Sequence, residues 1–162
     1  MRIERVVVNS SPLIVLFRSG QAELLQQMFS TVVVPQQVYQ EVVIDGPNDE
    51  AQKLLPNVPW ISITKVNPRL EIAAWNLGAG EASVFSFAYE NPGYRAIVDD
   101  LAARRCASAL GIKTLGTGGL LVLAKRRGLI YSVRDQIQML RNSGLFISDT
   151  VVQLLLSKSG EY

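Results

Sequence analysis

The chain has 162 residues, 48% of them hydrophobic and 19% charged, with a formal net charge of +2. That is enough apolar residue for one buried core, too little charge for a disordered segment, and no argument by itself for a nucleic-acid partner. Histidine is absent and cysteine occurs once, at Cys106, which excludes Ser-His-Asp and Cys-His catalysis, histidine-ligated zinc and an internal disulfide framework. Catalysis here has to rest on carboxylates or on a metal that carboxylates hold. The lone cysteine fits a reducing cytosol, no apolar run approaches the ~18 residues of a membrane helix, and residues 1–5 lead straight into a strand pattern with no signal peptide. A cytoplasmic protein off the membrane is expected.

Arg5-Val6-Val7-Val8 is a β-branched run and predicts a first strand. Asn9-Ser10-Ser11-Pro12 follows, and serine before proline predicts a helix over 11–18, stopped by Gly20. A short helix over 22–29 precedes a second strand over 31–34. Residues 36–43 read as a helix with Val38, Val42 and Tyr39 inward and Glu41 on a neighbouring face. After the turn Asp45-Gly46-Pro47-Asn48 come a helix over 49–55, a strand over 60–63, a helical stretch over 70–75 and a stronger helix over 81–89. A short strand over 112–115 follows the central stretch, and Gly116-Thr117-Gly118-Gly119 reads as a tight turn into a helix over 120–127. Helices over 133–142 and 148–157 complete the chain, the latter opening on Ser148-Asp149-Thr150. Strands alternating with helices imply parallel βαβ units: a three-layer α/β/α sandwich on a central, mostly parallel sheet of about 4–5 strands, in one domain over 1–162.

The central stretch runs from Tyr94 to Arg104. Ala96-Ile97-Val98 has the apolar run of a buried strand, and Asp99-Asp100 ends it just before a helix-prone segment. Ligands of open α/β sheets bind at that carboxyl edge. One aspartate caps a helix; two exceed what capping needs. Asn9, Glu41 and Glu81 stand at or near comparable junctions. Such a set suits oxygen ligation of Mg²⁺ or Mn²⁺, because carboxylates crowded at one sheet edge repel unless a cation neutralises them.

V-V-V-N-S-S-P-L-I near the start resembles the D-x-S-P-L-I opening of PIN-domain proteins, the VapC-toxin-like ribonucleases. V-P-Q-Q-V-Y-Q-E-V resembles their next strand and helix with its acid, here Glu41, and L-G-A-G-E-A-S-V-F-S-F-A resembles their G-E helix, here Glu81. I-V-D-D-L-A-A-R-R-C-A-S-A-L-G-I and L-G-T-G-G-L-L-V-L-A-K-R-R-G-L-I resemble an uncharacterised VapC-like branch. Five such segments in order cover nearly the whole chain. The resemblance implies Mg²⁺- or Mn²⁺-dependent endoribonuclease activity on RNA, the toxin half of a toxin–antitoxin pair with an antitoxin partner, and homodimers through apolar helix faces such as Leu13-Ile14-Leu16-Phe17 or Leu154-Leu155-Leu156. By position, Asn9, Glu41 and Glu81 take the first three acidic places and Asp99 or Asp100 the fourth, with Ser10 and Arg104 toward substrate. Asn9 departs from the pattern, keeping an oxygen but losing a charge, which weakens magnesium binding.

Each residue also has a plain reading. Ser10 and Ser11 suit helix caps, Glu41 a solvated helix face, and Glu81 the positive end of its helix. Arg104 suits an ion pair with Asp100 at i,i+4, Lys125-Arg126-Arg127 a solvated helix end that could also steer RNA, and Cys106 a core position. Two other functions compete: a catalytically silent PIN fold binding RNA or protein, and a receiver-like phosphoacceptor, which expects its acid pair near the first strand.

Overall fold

Val6-Val7-Val8 supplies the middle of the sheet, where β-branched side chains pack on both faces of a pleated strand. The computed structural model describes residues 3–161, so the reading of residues 1–2 lies outside it. The strands are β1 (Arg5–Val8), β2 (Thr31–Pro35), β3 (Ile61–Thr64), β4 (Arg95–Ile97) and β5 (Thr114–Leu115). All pair in parallel, in the order β3-β2-β1-β4-β5. Parallel sheets are covered on both faces, which is why β1, β2 and β4 read as continuous apolar runs.

Helices flank the sheet as a three-layer sandwich. They are α1 (Ser10–Arg18), α2 (Glu23–Met28), α3 (Gln36–Tyr39) with a π-helical continuation (Gln40–Ile44), α4 (Glu50–Leu54), α5 (Leu70–Ala73), α6 (Ala79–Glu90), α7 (Leu101–Ala109), α8 (Thr117–Arg126), α9 (Val133–Asn142) and α10 (Asp149–Ser159). Leu13 and Leu16 of α1, Phe85 of α6, and Leu120 and Leu121 of α8 are fully buried. Cys106 is a core residue, as its Ala-rich surroundings predict.

Three expectations need correction. The helix expected from residue 120 starts earlier: Gly116 is its N-cap, α8 begins at Thr117, and a Cβ on Gly118 would stand 2.5 Å from Leu155 Cδ1, so the glycine lets α10 lie close against α8. Lys125-Arg126-Arg127 is not a solvated helix end. Lys125 pairs with Glu161 at 2.7 Å, Arg126 donates to Lys158 O, and Arg127 donates to Met28 O and Ile3 O while lying over the Phe29 ring. Those contacts stitch the C-terminal segment and α2 to the body. Leu13, Leu16 and Phe17 face the core, which removes that run as a dimer surface, whereas Leu154 is half exposed. Among the described residues no helix is long and apolar enough to cross a membrane.

The strand order locates the functional edge. The chain builds β1, β2 and β3 outward in one direction, then returns past β1 to place β4 on its other side. The winding therefore reverses between β1 and β4, and the crevice outside their carboxyl ends is where such sheets bind ligands. Val8 and Ile97, the last residues of the two strands, are register partners.

Candidate active site

Asn9 is the first residue beyond β1, and its N–H donates to Ile97 O at 3.1 Å, fastening the carboxyl ends of β1 and β4 together. Its position is that of an N-cap for α1, yet its side chain makes no capping bond, and the residue is only 6% exposed. The serine caps expected here do not form. Ser10 is already helical, and its Oγ donates instead to Oε2 of Glu41 at 2.5 Å.

Glu41 lies in the π-helical continuation of α3, where the widened turn lets Val42 stay buried while Glu41 reaches toward α6. Its Oε1 accepts from the N–H of Gly80 at 2.9 Å. A Cβ on Gly80 would stand 2.5 Å from one carboxylate oxygen and 2.6 Å from the other, so only glycine lets Glu41 sit on the first turn of α6. Glu41 is an exposed helix residue, as its plain reading has it, but it is not free: Ser10 and Gly80 hold its two oxygens.

Asp99 and Asp100 take different tasks. Asp100 caps α7, accepting from Ala103 N at 2.8 Å. Asp99 has both oxygens engaged by one residue: Oδ1 accepts from Thr117 N at 2.7 Å and Oδ2 from Thr117 Oγ1 at 2.6 Å. It ties the end of β4 to the start of α8. Thr117 was missed in the sequence; a Gly-Thr pair directly after a strand is the signal that could have found it. The pair between Arg104 and Asp100 does not form among the described residues. A Cβ on Gly116 would stand 3.0 Å from Arg104 Nη1 and 3.4 Å from Asp99 Oδ1, so the guanidinium lies beside that glycine, at the site's rim.

Glu41, Asp99 and Asp100 each accept a backbone N–H from the start of a helix, which offsets their charge locally. Glu81, in the first turn of α6, is left strained. Burial first, then the negative charges of Asp100 and Glu41, push its carboxyl above the ordinary range, opposed by a backbone interaction with Gly78. Four helix N-termini and four acids therefore gather where the winding reverses, and at Glu81 the backbone interaction with Gly78 is outweighed by burial and the two neighbouring charges.

The family model DUF3368, a PIN domain, matches residues 5–161. The chain belongs to the PIN-domain family. No curated protein matches it. PIN domains are in general metal-dependent nuclease folds that use divalent metals, which bears directly on the strained glutamate.

Among the described residues no three acidic or cysteine side chains stand close enough to enclose an ion directly. Magnesium keeps several of its waters and needs only one or two carboxylates. Glu81, on which the charges of Asp100 and Glu41 act, offers the oxygen chemistry that a hydrated Mg²⁺ or Mn²⁺ takes.

Proposed function

We propose that this single PIN-like domain is a metal-dependent endoribonuclease that hydrolyses RNA phosphodiesters at the carboxyl edge between β1 and β4. The observation that carries the reading is the gathering of Glu41, Glu81, Asp99 and Asp100 at the reversal of a PIN-domain sheet, where burial and the charges of Asp100 and Glu41 raise the Glu81 carboxyl. A cation is what such a carboxylate lacks. Bound there, Mg²⁺ or Mn²⁺ would activate water and offset charge on the phosphate. Glu81 and Asp100 would hold the ion, with Glu41 set by Ser10 and Gly80 beside them and Asn9 as a neutral oxygen donor. Asp99 would act at one remove, keeping α8 and its own strand end in place. Arg104 would meet the phosphate at the rim. Water is the nucleophile and no covalent intermediate forms. The VapC-like motifs support a toxin role with a protein antitoxin, and the half-exposed Leu154 supports α10 as the face for a homodimer.

A labelled single-stranded RNA incubated with Mn²⁺ or with EDTA tests this. Cleavage that disappears with EDTA and with Glu81→Gln is expected; equal cleavage by wild type and Glu81→Gln in nuclease-free preparations refutes the assignment. The neutral Asn9 favours a second reading, a PIN fold that binds RNA without cutting it. Metal-independent binding with no turnover in Mn²⁺ would select it.

A further inference from the structure

Of the two tryptophans, Trp60 packs partly against the core, while Trp75 is 46% exposed. Trp75 is not on a loose loop. Ile72 of α5 is buried just before it, its own N–H donates to Ile72 O at 3.1 Å, and Asn76 N donates to Ala73 O at 3.2 Å. Asn76 then turns the chain through the left-handed region at φ 53°, and Leu77 packs back on the core. A large apolar ring is held outward by a turn anchored on both sides. Ala79, the start of α6, is four positions after Trp75, so the ring's backbone lies within about 15 Å of the helix that carries Gly80 and Glu81. Leu101, directly after Asp100, is 66% exposed at the start of α7.

The one dense basic cluster of the sequence is elsewhere. α8 starts at the carboxyl edge and runs back for ten residues, which puts Lys125-Arg126-Arg127 about 15 Å away at the opposite edge, and its groups bond within the chain. At the carboxyl edge the cations are dispersed rather than clustered: Arg104 at the rim, exposed Arg105 beside it on α7, and exposed Lys65 directly after β3. Single-stranded RNA is held by stacking of unpaired bases on aromatic rings, which needs no basic groove and is denied to a duplex.

We propose that Trp75 is a base-stacking platform that selects single-stranded RNA for the acidic site between β1 and β4. The inference rests on the nuclease reading for its substrate class, but its readout is binding without metal. In EDTA, a Trp60→Phe protein, whose only tryptophan is Trp75, is titrated with a single-stranded RNA and with the same sequence as a duplex, following fluorescence. In parallel, labelled-RNA anisotropy compares the unmodified chain with Trp75→Ala and Trp75→Phe. Quenching by the single strand, binding weakened about tenfold in Trp75→Ala and largely kept in Trp75→Phe, and a shallow salt dependence are expected. Under turnover the loss in Trp75→Ala should fall on KM rather than kcat. Unchanged affinity in Trp75→Ala, an unquenched Trp75, equal binding of the duplex, or no RNA binding by the unmodified chain each overturns the proposal. Quenching without cleavage in Mn²⁺ would uphold the platform and refute the nuclease; cleavage unaffected by Trp75→Ala would do the reverse.

Discussion

A glycine inside a helix ordinarily costs about 1 kcal/mol against alanine, so Gly80→Ala should stabilise α6 if the position were only helical. Here the added methyl meets both oxygens of Glu41, the far end of an exposed and flexible side chain, which must swing away; we expect stability within about 1 kcal/mol of wild type in urea unfolding, with loss of cleavage. Glu81 makes a complementary prediction. Its carboxyl is raised in the folded chain, so the ionised form weakens the metal-free fold above that raised pKa, and the penalty vanishes as pH falls through it. Glu81→Gln should raise the metal-free melting midpoint at neutral pH by about 2 °C, with the gain shrinking toward acid pH. Added Mn²⁺ should raise the wild-type midpoint and leave that of Glu81→Gln nearly unmoved. The positions of Glu81, Asp99 and Asp100 at a strand end or helix start were legible in the sequence, while Glu41 lies inside the helical segment after β2. Their partners were not: Ser10 and Glu41 are 31 residues apart, and Asp99 and Thr117 are 18 apart. Such pairings are set by topology, which local spacing does not encode.

Between elements, the last turn of the chain is the clearest tie. Burial acts to raise the Glu161 carboxyl, but the Lys125 ammonium at 2.7 Å and the N–H groups of Val133 and Arg134 at the start of α9 outweigh it and hold the group down at about 2. A carboxylate with a depressed folded pKa lends stability above its unfolded value that is lost as pH falls through the folded one. The tie should be complete above about pH 5 and fade from about pH 4.5 toward 2. Glu161→Gln should cost about 2 kcal/mol at pH 7 and much less near pH 2, as pH-dependent denaturation would record. The element boundaries themselves were readable: the predicted helix over 133–142 coincides with α9 (Val133–Asn142), and Ser148 caps α10 by accepting from Val151 N. The tight turn into a packed helix predicted over 116–119 was right about the packing and late about the helix start, since α8 already begins at Thr117. In α8 Gly118 and Gly119 serve close packing against Leu155 and Leu115.

Across the whole molecule, the order β3-β2-β1-β4-β5 explains why residues from four distant segments share one edge. Sequence alternation predicted parallel strands and helical layers, but not which strands neighbour which, since any right-handed set of βαβ units gives the same linear pattern. The reversal between β1 and β4 brings Asn9 beside the end of the strand that carries Asp99 and Asp100, and the start of α6 closes on them through Glu41. On this account the site is an anion-crowded edge one charge short of a strong metal centre. The most direct test is calorimetric titration of Mn²⁺ into the wild type, Asn9→Asp and Glu81→Gln without RNA. We predict weak binding by the wild type, affinity higher by about tenfold or more in Asn9→Asp, and loss of binding in Glu81→Gln. Equal Mn²⁺ affinity in all three proteins would contradict the account.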